Sequence, residues 1–141
     1  MTSPTPRPDP AAGWTFFDEK TERRDVLVAL VDGRLAGYVR LGRATRLAAT
    51  DHVLTVNGIA VSPGEQRRGV GRALIDAAAM EAQARGARRL TLRVLGPNER
   101  ARRLYESAGF VVEGILREEF FLGGEYVDDV LMALDLRRDN A

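Results

Sequence analysis

The chain contains no cysteine and only one histidine. The absence of cysteine excludes disulfide bonds, thiolate metal sites and a covalent acyl-enzyme on a cysteine. A single histidine argues against a histidine-rich metal centre. We therefore expect a protein that holds no metal and whose chemistry does not pass through a thiol of its own.

Long apolar runs and a strong net charge are also absent. No stretch approaches the roughly 18 apolar residues of a transmembrane helix, and the opening Met-Thr-Ser-Pro lacks the apolar core of a signal peptide. The net charge is +1, which argues against binding to nucleic acid or to an anionic membrane. The sequence thus predicts a cytoplasmic protein that binds neither nucleic acid nor membrane.

Hydrophobic residues make up 45% of the 141 residues, which is enough for one globular domain with a sizeable core. Four of the six prolines fall within residues 1–13, where no apolar period is visible. This segment is therefore predicted to be a disordered or extended tail. We expect residues 14–141 to form a single domain.

The pattern of apolar residues predicts strands and helices in the order β-β-β-α-β-α-β-β. The predicted strands are residues 25–31, 34–43, 52–61, 88–95, 111–121 and 126–136, and the predicted helices are 69–85 and 97–108. Asp32-Gly33 predicts a hairpin turn, and Asn57-Gly58 predicts a bulge within its strand. Gly86 and Gly109 are predicted helix C-caps. The fold class that follows is a mixed α/β sheet.

The most informative segment is Ile59–Leu74, which is typical of a strand end, a glycine-bearing turn and the start of an amphipathic helix. A helix N-terminus carries unpaired N–H groups and partial positive charge, so it favours a phosphate group. Gly69 and Gly71 allow a ligand to approach the backbone closely. Positive charge is added by three arginines, Arg67, Arg68 and Arg72. The segment is therefore predicted to bind a diphosphate.

Two nucleotide-binding motifs with similar glycines are excluded. A Walker loop continues with Gly-Lys-Ser/Thr, but here Gly69 is followed by Val70-Gly71. A dinucleotide fingerprint needs a third small residue, and this chain has Leu74 in its place. An ordinary strand-to-helix turn without a ligand is the other interpretation.

The pattern Gln66-x-x-Gly69-x-Gly71, preceded by Ile59-Ala60-Val61-x-Pro63, closely resembles motif A of the GNAT family of N-acetyltransferases. In that family the turn binds the pyrophosphate of acetyl-CoA. The resemblance implies a GNAT-like, mostly antiparallel twisted sheet with two flanking helices, and acetyl-CoA as cosubstrate. It assigns cofactor binding to the residues Ile59, Ala60, Val61, Gln66, Arg67, Arg68, Gly69, Val70, Gly71 and Arg72.

A second segment resembles the same family through the pattern Asn-x-x-Ala-x-x-x-Tyr-x-x-x-Gly-Phe, which runs from Asn98 to Phe110. Asn98 and Tyr105 are separated by about two helical turns and so share one face. In relatives the asparagine hydrogen-bonds the pantetheine arm, and the tyrosine lies near the thioester sulfur and can protonate the departing thiolate. The alternatives are a helix N-cap for Asn98 and a core aromatic residue for Tyr105.

Two features depart from the family pattern. Relatives open with a strand and two helices that wall the acceptor site, whereas only 25 residues precede Val26 here. Either part of that wall is absent here, or a second subunit supplies it; the second alternative motivates a homodimer. In the ribosomal-protein N-terminal acetyltransferase branch a glutamate lies on the strand before the asparagine, but the matching residue here is Arg93, which cannot accept a proton. The candidate bases elsewhere are His52, Glu118, Glu119, Asp128 and Asp129.

These features predict an N-acetyltransferase that moves an acetyl group directly from acetyl-CoA to a primary amine of a small molecule, such as an amino acid or a polyamine. Residues 114–132 resemble the C-terminal strands of small bacterial members, which act on such amines and some of which acetylate protein N-termini. One alternative is a protein or peptide N-acetyltransferase, because an open acceptor face would admit a peptide. Another is a non-catalytic acyl-CoA-binding module, which the missing base favours and Tyr105 argues against.

Overall fold

The computed structural model describes residues 5–9, 14–18, 25–66 and 69–137. Contacts divide the chain into two compact units. The first comprises Met1–Gly42 and Val56–Glu81, and the second comprises Arg43–Thr55 and Ala82–Ala141. The single domain that the sequence predicts for residues 14–141 stays a prediction. None of the described helices is long and apolar enough to cross a membrane.

The first unit is built from consecutive strands and one helix. Its elements are β1 (Thr5–Asp9), β2 (Trp14–Asp18), β3 (Val26–Val31), β4 (Arg34–Arg43), the larger part of β5 (Val53–Val61) and most of α1 (Val70–Ala84). Strands β1 to β4 pair in sequence order and all antiparallel. The pairing of β3 with β4 across Asp32-Gly33 confirms the predicted hairpin.

Strand β1 lies in the segment that the sequence predicts as a disordered or extended tail, and Thr5–Asp9 has the extended conformation of those two alternatives. The strand pairs with β2, with Pro6 opposite Phe17 and Pro8 opposite Thr15. Backbone hydrogen bonds to a neighbouring strand do not depend on an apolar period, and an outer strand tolerates proline because its outward N–H groups need no partner. Residues 1–4 and 10–13 of the predicted tail lie outside the described residues.

The second unit contains the start of β5 and the rest of the chain. Its further elements are β6 (Arg89–Leu95), α2 (Glu99–Ser107), β7 (Val111–Leu122) and β8 (Glu125–Asp135), with the strand order β5-β6-β8-β7. β5 and β6 run parallel, whereas β8 is antiparallel to both β6 and β7. This mixed, mostly antiparallel sheet with two helices confirms the predicted fold class, and the predicted element order holds from β3 onward.

Apolar side chains form the core of each unit through the expected periodicity. In the first unit α1 buries Val70, Leu74 and Ala78, which recur every fourth residue. In the second unit β6 buries Leu92 and Val94, which lie opposite Met132 and Val130 of β8, both of them also buried. Buried apolar side chains therefore anchor the start of α1 in the first unit. Others anchor the end of β6 in the second unit.

Both helices end as the sequence predicts, at a glycine with positive φ. Gly86 has φ 88° and Gly109 has φ 103°, a conformation that other residues rarely adopt. After α1 the N–H of Ala87 donates to the carbonyl oxygen of Ala82 at 3.0 Å. The predicted C-caps are confirmed.

Candidate active site

In the first unit, the predicted phosphate-binding turn connects β5 to α1. After β5, a short 3-10 turn covers Pro63–Glu65, and α1 begins at Val70. Ser62 fixes the end of the strand, because its N–H donates to the carbonyl oxygen of Ala36 at 2.8 Å. The strand, turn and helix that the motif requires are therefore present. Arg67 and Arg68 of this turn lie outside the described residues.

Gly69 has a backbone conformation that favours glycine. Its φ is +82°, and a Cβ built on it would meet no atom of the described residues within 4 Å. Glycine is thus needed here for its conformation and not because neighbouring atoms crowd it. The carbonyl oxygen of Gly69 accepts the first helical hydrogen bond, from the N–H of Ala73 at 3.1 Å. The turn thus leads directly into the helix.

The N-terminus of α1 can accept an anion. The helix has 15 residues, and its first turn, which is fully described, contains no acidic residue. The partial positive charge of the helix end is therefore not neutralised within that turn. Val70 is buried and Gly71 is half-buried, so their contribution to a ligand would come from backbone N–H groups. Arg72 is exposed, and its Nε donates to both carboxylate oxygens of Asp76, at 3.1 and 3.2 Å.

The turn also contains an acidic residue, Glu65, which sequence reasoning missed. The side chain is buried, and one carboxylate oxygen lies 3.3 Å from Nη1 of Arg34. The carboxylate therefore pairs with an arginine of β4. The positive charge of this arginine offsets the negative charge of Glu65, which would otherwise repel a phosphate at the helix start. Gln66 is exposed, and its Nε2 donates to the carbonyl oxygen of Val61 at 3.5 Å, the limit of a hydrogen bond.

The last residues of β5 are fixed by close approach to β4. A Cβ built on Gly37 would lie 2.6 Å from the carbonyl oxygen of Ala60 and 3.0 Å from Cδ1 of Leu74. Only a glycine in β4 allows β5 and α1 to come this near. Ile59 and Val61 are half-buried, whereas Ala60 is exposed. The backbone of this predicted pantetheine strand is thus held in a defined position within its unit.

In the second unit, Asn98 is the N-cap of α2. Its Oδ1 accepts a hydrogen bond from the N–H of Ala101 at 3.1 Å. Its own N–H donates to the carbonyl oxygen of Leu95 at 2.9 Å, which ties the start of α2 to the end of β6. The N-cap interpretation of Asn98 is therefore confirmed. The cap occupies the amide oxygen and not the amide nitrogen.

Tyr105 lies on the same helix and is 7% exposed. Its ring centroid is 6.1 Å from that of Phe110, with an angle of 59° between the ring planes. Burial raises the pKa of the Tyr105 phenol above its ordinary value, because an ionised phenolate would lose hydration. The ring is a core aromatic group, as the alternative interpretation requires. Its hydroxyl remains protonated at neutral pH, which is the state that a proton donor needs.

Arg93, at the position of the expected glutamate, pairs with a buried carboxylate. Nη1 of Arg93 donates to Oδ2 of Asp129 at 2.9 Å. Asp129 is 1% exposed, whereas the side chain of Arg93 is 63% exposed. The pairing register brings them to one face of the sheet, because Arg93 lies opposite Leu131 and Asp129 lies two residues before Leu131 on that strand. This pairing depends on strand register, so sequence reasoning named both residues without connecting them.

The other candidate bases are spread over the second unit. His52 is exposed and precedes β5. Glu118 lies in a bulge of β7, where its φ is 51° and its N–H donates to Oδ1 of Asp128 at 2.9 Å. Glu119 is exposed in the same bulge. Among the described residues no group of three or more histidine, cysteine or acidic side chains is placed to hold a metal ion.

Comparison with known proteins identifies the family. A sequence model described as "Acetyltransferase (GNAT) family" matches residues 2–110. The chain is 36% identical over 125 residues to a [ribosomal protein bS18]-alanine N-acetyltransferase of Salmonella typhimurium, a match that covers 86% of this chain and 78% of that protein. It is 35% identical over 97 residues to streptothricin acetyltransferase of Streptomyces lavendulae, covering 69% and 49%. The chain belongs to the GNAT acetyltransferase family, and it is an N-acetyltransferase.

Solved structures agree with this assignment. The ribosomal-protein-S18-alanine N-acetyltransferase of Escherichia coli superposes with a TM-score of 0.70 at 30% identity, over 82% of this chain and 70% of that chain. The yncA structure of Salmonella typhimurium, which was solved with its cofactor acetyl-CoA, gives a TM-score of 0.75 at 23% identity, over 94% and 70%. The second likeness concerns the fold. The predicted family and enzyme class are confirmed, and the non-catalytic alternative is set aside.

Proposed function

We propose that this N-acetyltransferase uses acetyl-CoA and transfers the acetyl group directly to a primary amine of a small molecule. The observation that carries the proposal is the start of α1, where Gly69 has φ +82° and a Cβ built on it would meet no described atom within 4 Å. The first turn of that helix contains no acidic residue. A pyrophosphate fits such a helix end, because its oxygens would accept hydrogen bonds from N–H groups that lack intrahelical partners.

Different parts of acetyl-CoA are assigned to residues of the turn before α1, of β5 and of the start of α2. Gln66 and the segment Gly69–Arg72 hold the pyrophosphate, chiefly through backbone N–H groups, and Arg67 and Arg68 add charge there. Ile59–Val61 offer their backbone to the pantetheine arm. In the second unit, the amide N–H of Asn98 donates a hydrogen bond to the acetyl-CoA substrate while its amide oxygen caps α2. This double use would reconcile the two interpretations of Asn98.

Tyr105 acts as the general acid. Bound acetyl-CoA supplies an activated acetyl thioester, and the neutral amine forms a C–N bond to its acyl carbon as the C–S bond breaks. The Tyr105 phenol donates its proton to the departing sulfur. The proton lost by the amine nitrogen leaves to water, from which Tyr105 is reprotonated, so that the products are an N-acetyl amide and the free thiol of CoA. The chain contains no cysteine that could carry the acyl group, which supports direct transfer.

A peptide N-terminus is the second candidate acceptor. The observation that favours it is the 36% identity to a protein named as a ribosomal-protein alanine N-acetyltransferase. Arg93 stands against it, because it occupies the position at which that branch has a glutamate, and its guanidinium cannot accept a proton. The relative named for streptothricin, a small molecule, supports the first candidate.

The test is release of free thiol from acetyl-CoA in the presence of single amino acids, polyamines, aminoglycosides and short peptides. Calorimetric titration with CoA on the same sample is the control. We expect CoA to bind and one class of small amines to be acetylated. Turnover on peptides alone would transfer the assignment to the second candidate. Absence of CoA binding would contradict the phosphate-binding turn and with it the whole proposal.

A further inference from the structure

The pair formed by Arg93 and Asp129 places a fixed cation on an open face of the second unit. Asp129 is almost completely buried, and a buried carboxylate needs a partner that offsets its lost hydration. Nη1 of Arg93 supplies that partner at 2.9 Å. The Arg93 side chain is nevertheless mostly exposed. One end of the guanidinium is therefore held by the protein while much of the group faces solvent.

An arginine held in this way can bind a carboxylate. The bond to Asp129 uses one donor of a planar group that carries several, in a fork whose geometry matches a carboxylate. Because Asp129 restrains the fork, less conformational entropy is lost when a ligand binds. The neighbouring Leu95 on the same strand is also exposed, so the face beside the guanidinium is accessible.

The position of Arg93 connects it to the proposed chemistry. It lies two residues before the end of β6, and the carbonyl oxygen of Leu95 at that end accepts the N–H of Asn98, the N-cap of α2. The same helix carries Tyr105, the proposed acid. Strand end, cap and proposed acid are thus consecutive parts of one compact unit.

We infer that Arg93 determines acceptor specificity by binding a carboxylate of the acceptor, so that the preferred substrate carries a carboxylate beside its amine, as a free α-amino acid does. The inference rests on the proposed function and names the acceptor class for it. A polyamine would place cationic groups beside a guanidinium, which is unfavourable. A peptide N-terminus has the amine but no carboxylate next to it. Asp129 itself is too deeply buried to receive the acceptor.

The experiment compares each of a set of free L-amino acids with its α-amide, together with spermidine, as acceptors in thiol release from acetyl-CoA. The amide keeps the amine and the side chain and removes only the negative charge. We expect kcat/KM to be about 10- to 100-fold higher for the acid than for the amide, the range of a charge-assisted hydrogen-bonded pair. Rates should be compared at equal concentrations of neutral amine, because the acid and the amide differ in amine pKa.

Arg93→Lys tests the role of the residue. Lysine keeps the positive charge that Asp129 needs and removes the planar fork. We expect the preference for acid over amide to fall to within about threefold, mainly through a higher KM for the acid, with CoA binding unchanged. The matched control is Arg89→Lys, on the same face of β6, where Arg89 donates to both oxygens of Glu113 at 2.6 and 3.0 Å. This control should keep the full preference.

Some results would contradict only the role of Arg93, whereas one would also contradict the proposed acetyl transfer. Equal use of acid and amide by the unaltered enzyme, preference for the amide or for spermidine, or an unchanged preference in a folded Arg93→Lys variant would each overturn the inference alone. If Arg93→Lys does not fold, the ratio of kcat/KM for the amino acid to that for its α-amide, measured on the unaltered enzyme, still tests the inference. CoA binding without turnover of any acceptor would defeat the proposed function and this inference with it.

Discussion

Gly69 and Gly64 of the turn differ in their backbone φ angle. Neither would crowd a neighbouring described atom within 4 Å if it carried a Cβ, but only Gly69 has a positive φ, at +82°. Gly69→Ala should strain the backbone by about 1–2 kcal/mol and weaken CoA binding by roughly tenfold, because the N–H groups at the start of α1 would move. Calorimetric titration with CoA measures the effect.

Gly64→Ala is the matched control for this prediction, because it adds the same methyl group without the strain. It should bind CoA as the unaltered protein does. Equal loss of affinity in both variants would show that added volume, and not backbone conformation, governs the turn.

Tyr105 leads to a prediction about pH. Burial raises the pKa of its phenol, so the hydroxyl stays protonated at every pH below that raised value. The value of kcat/KM should therefore rise as the acceptor amine becomes neutral and should not fall before about pH 10, the ordinary pKa of tyrosine. A descending limb near neutral pH would contradict this role.

Tyr105→Phe should lower kcat by about 10²- to 10⁴-fold while leaving CoA affinity unchanged. The proton donor is lost, but the ring that packs near Phe110 is kept. Tyr126→Phe is the control, since Tyr126 is exposed and its ring lies 4.8 Å from that of Phe121. Unchanged turnover in Tyr105→Phe would remove Tyr105 from the acid role.

Single residues were predictable from sequence where their role is local. Gly69 and Asn98 are set by a turn and a helix start, which a few neighbouring residues specify. The contacts of Arg93 with Asp129 and of Arg34 with Glu65 were not, because they join residues on different segments. Such contacts depend on strand register and on which side chains turn inward, and one sequence does not specify either.

At the scale of elements, β4, β5 and α1 meet at Gly37. A Cβ added at this residue would come within 2.6 Å of the carbonyl oxygen of Ala60, which is closer than real contacts allow. Gly37→Ala should therefore push β5 away and destabilise the fold by about 1–3 kcal/mol. Because Ala60 belongs to the proposed pantetheine strand, CoA affinity should fall as well. Thermal unfolding and CoA titration measure the two effects.

Gly58→Ala is the stability control for this prediction. Gly58 lies on β5, and its nearest contact would be an ordinary 3.9 Å to Cε1 of Tyr38. The melting temperature should change much less than for Gly37→Ala. Equal melting temperatures for the two variants would contradict the close approach of β4 and β5.

The elements themselves followed from the sequence where two signals agreed. β4 has the predicted bounds, and α1 differs from its prediction by one residue at each end, because apolar period and flanking glycines point to the same limits. β1 and β2 were both missed. For β1, two prolines in five residues argue against a strand unless it is an outer one. That condition concerns the neighbours of the strand and is not visible in its own residues.

At the scale of the whole molecule, the hairpin of β7 and β8 exposes a cluster of large apolar side chains. Phe121 is 62% exposed and Tyr126 is 66% exposed, and further large apolar side chains of this hairpin are exposed beside them. A cluster of this kind commonly marks a contact surface. We predict a homodimer through this hairpin, and light scattering at micromolar concentration should give twice the mass of the chain.

Tyr126→Glu should convert the dimer to a monomer, because a carboxylate would be buried in the contact. Met80→Glu is the control, since Met80 is an exposed apolar residue on α1 of the other unit. It should leave the mass unchanged. A single-chain mass for the unaltered protein would contradict the dimer.

The outer strands of the two units differ in what they offer to another chain. β1 carries Pro6 and Pro8, so its free edge has gaps in the row of N–H donors and cannot readily accept an added strand. β7 has no proline along its twelve residues, so it keeps all its N–H donors, although bulges interrupt its regular pairing. A protein with one receptive edge and one blocked edge can form a closed pair but cannot polymerise edge to edge. The prolines at the start of the chain would then limit how far the protein assembles.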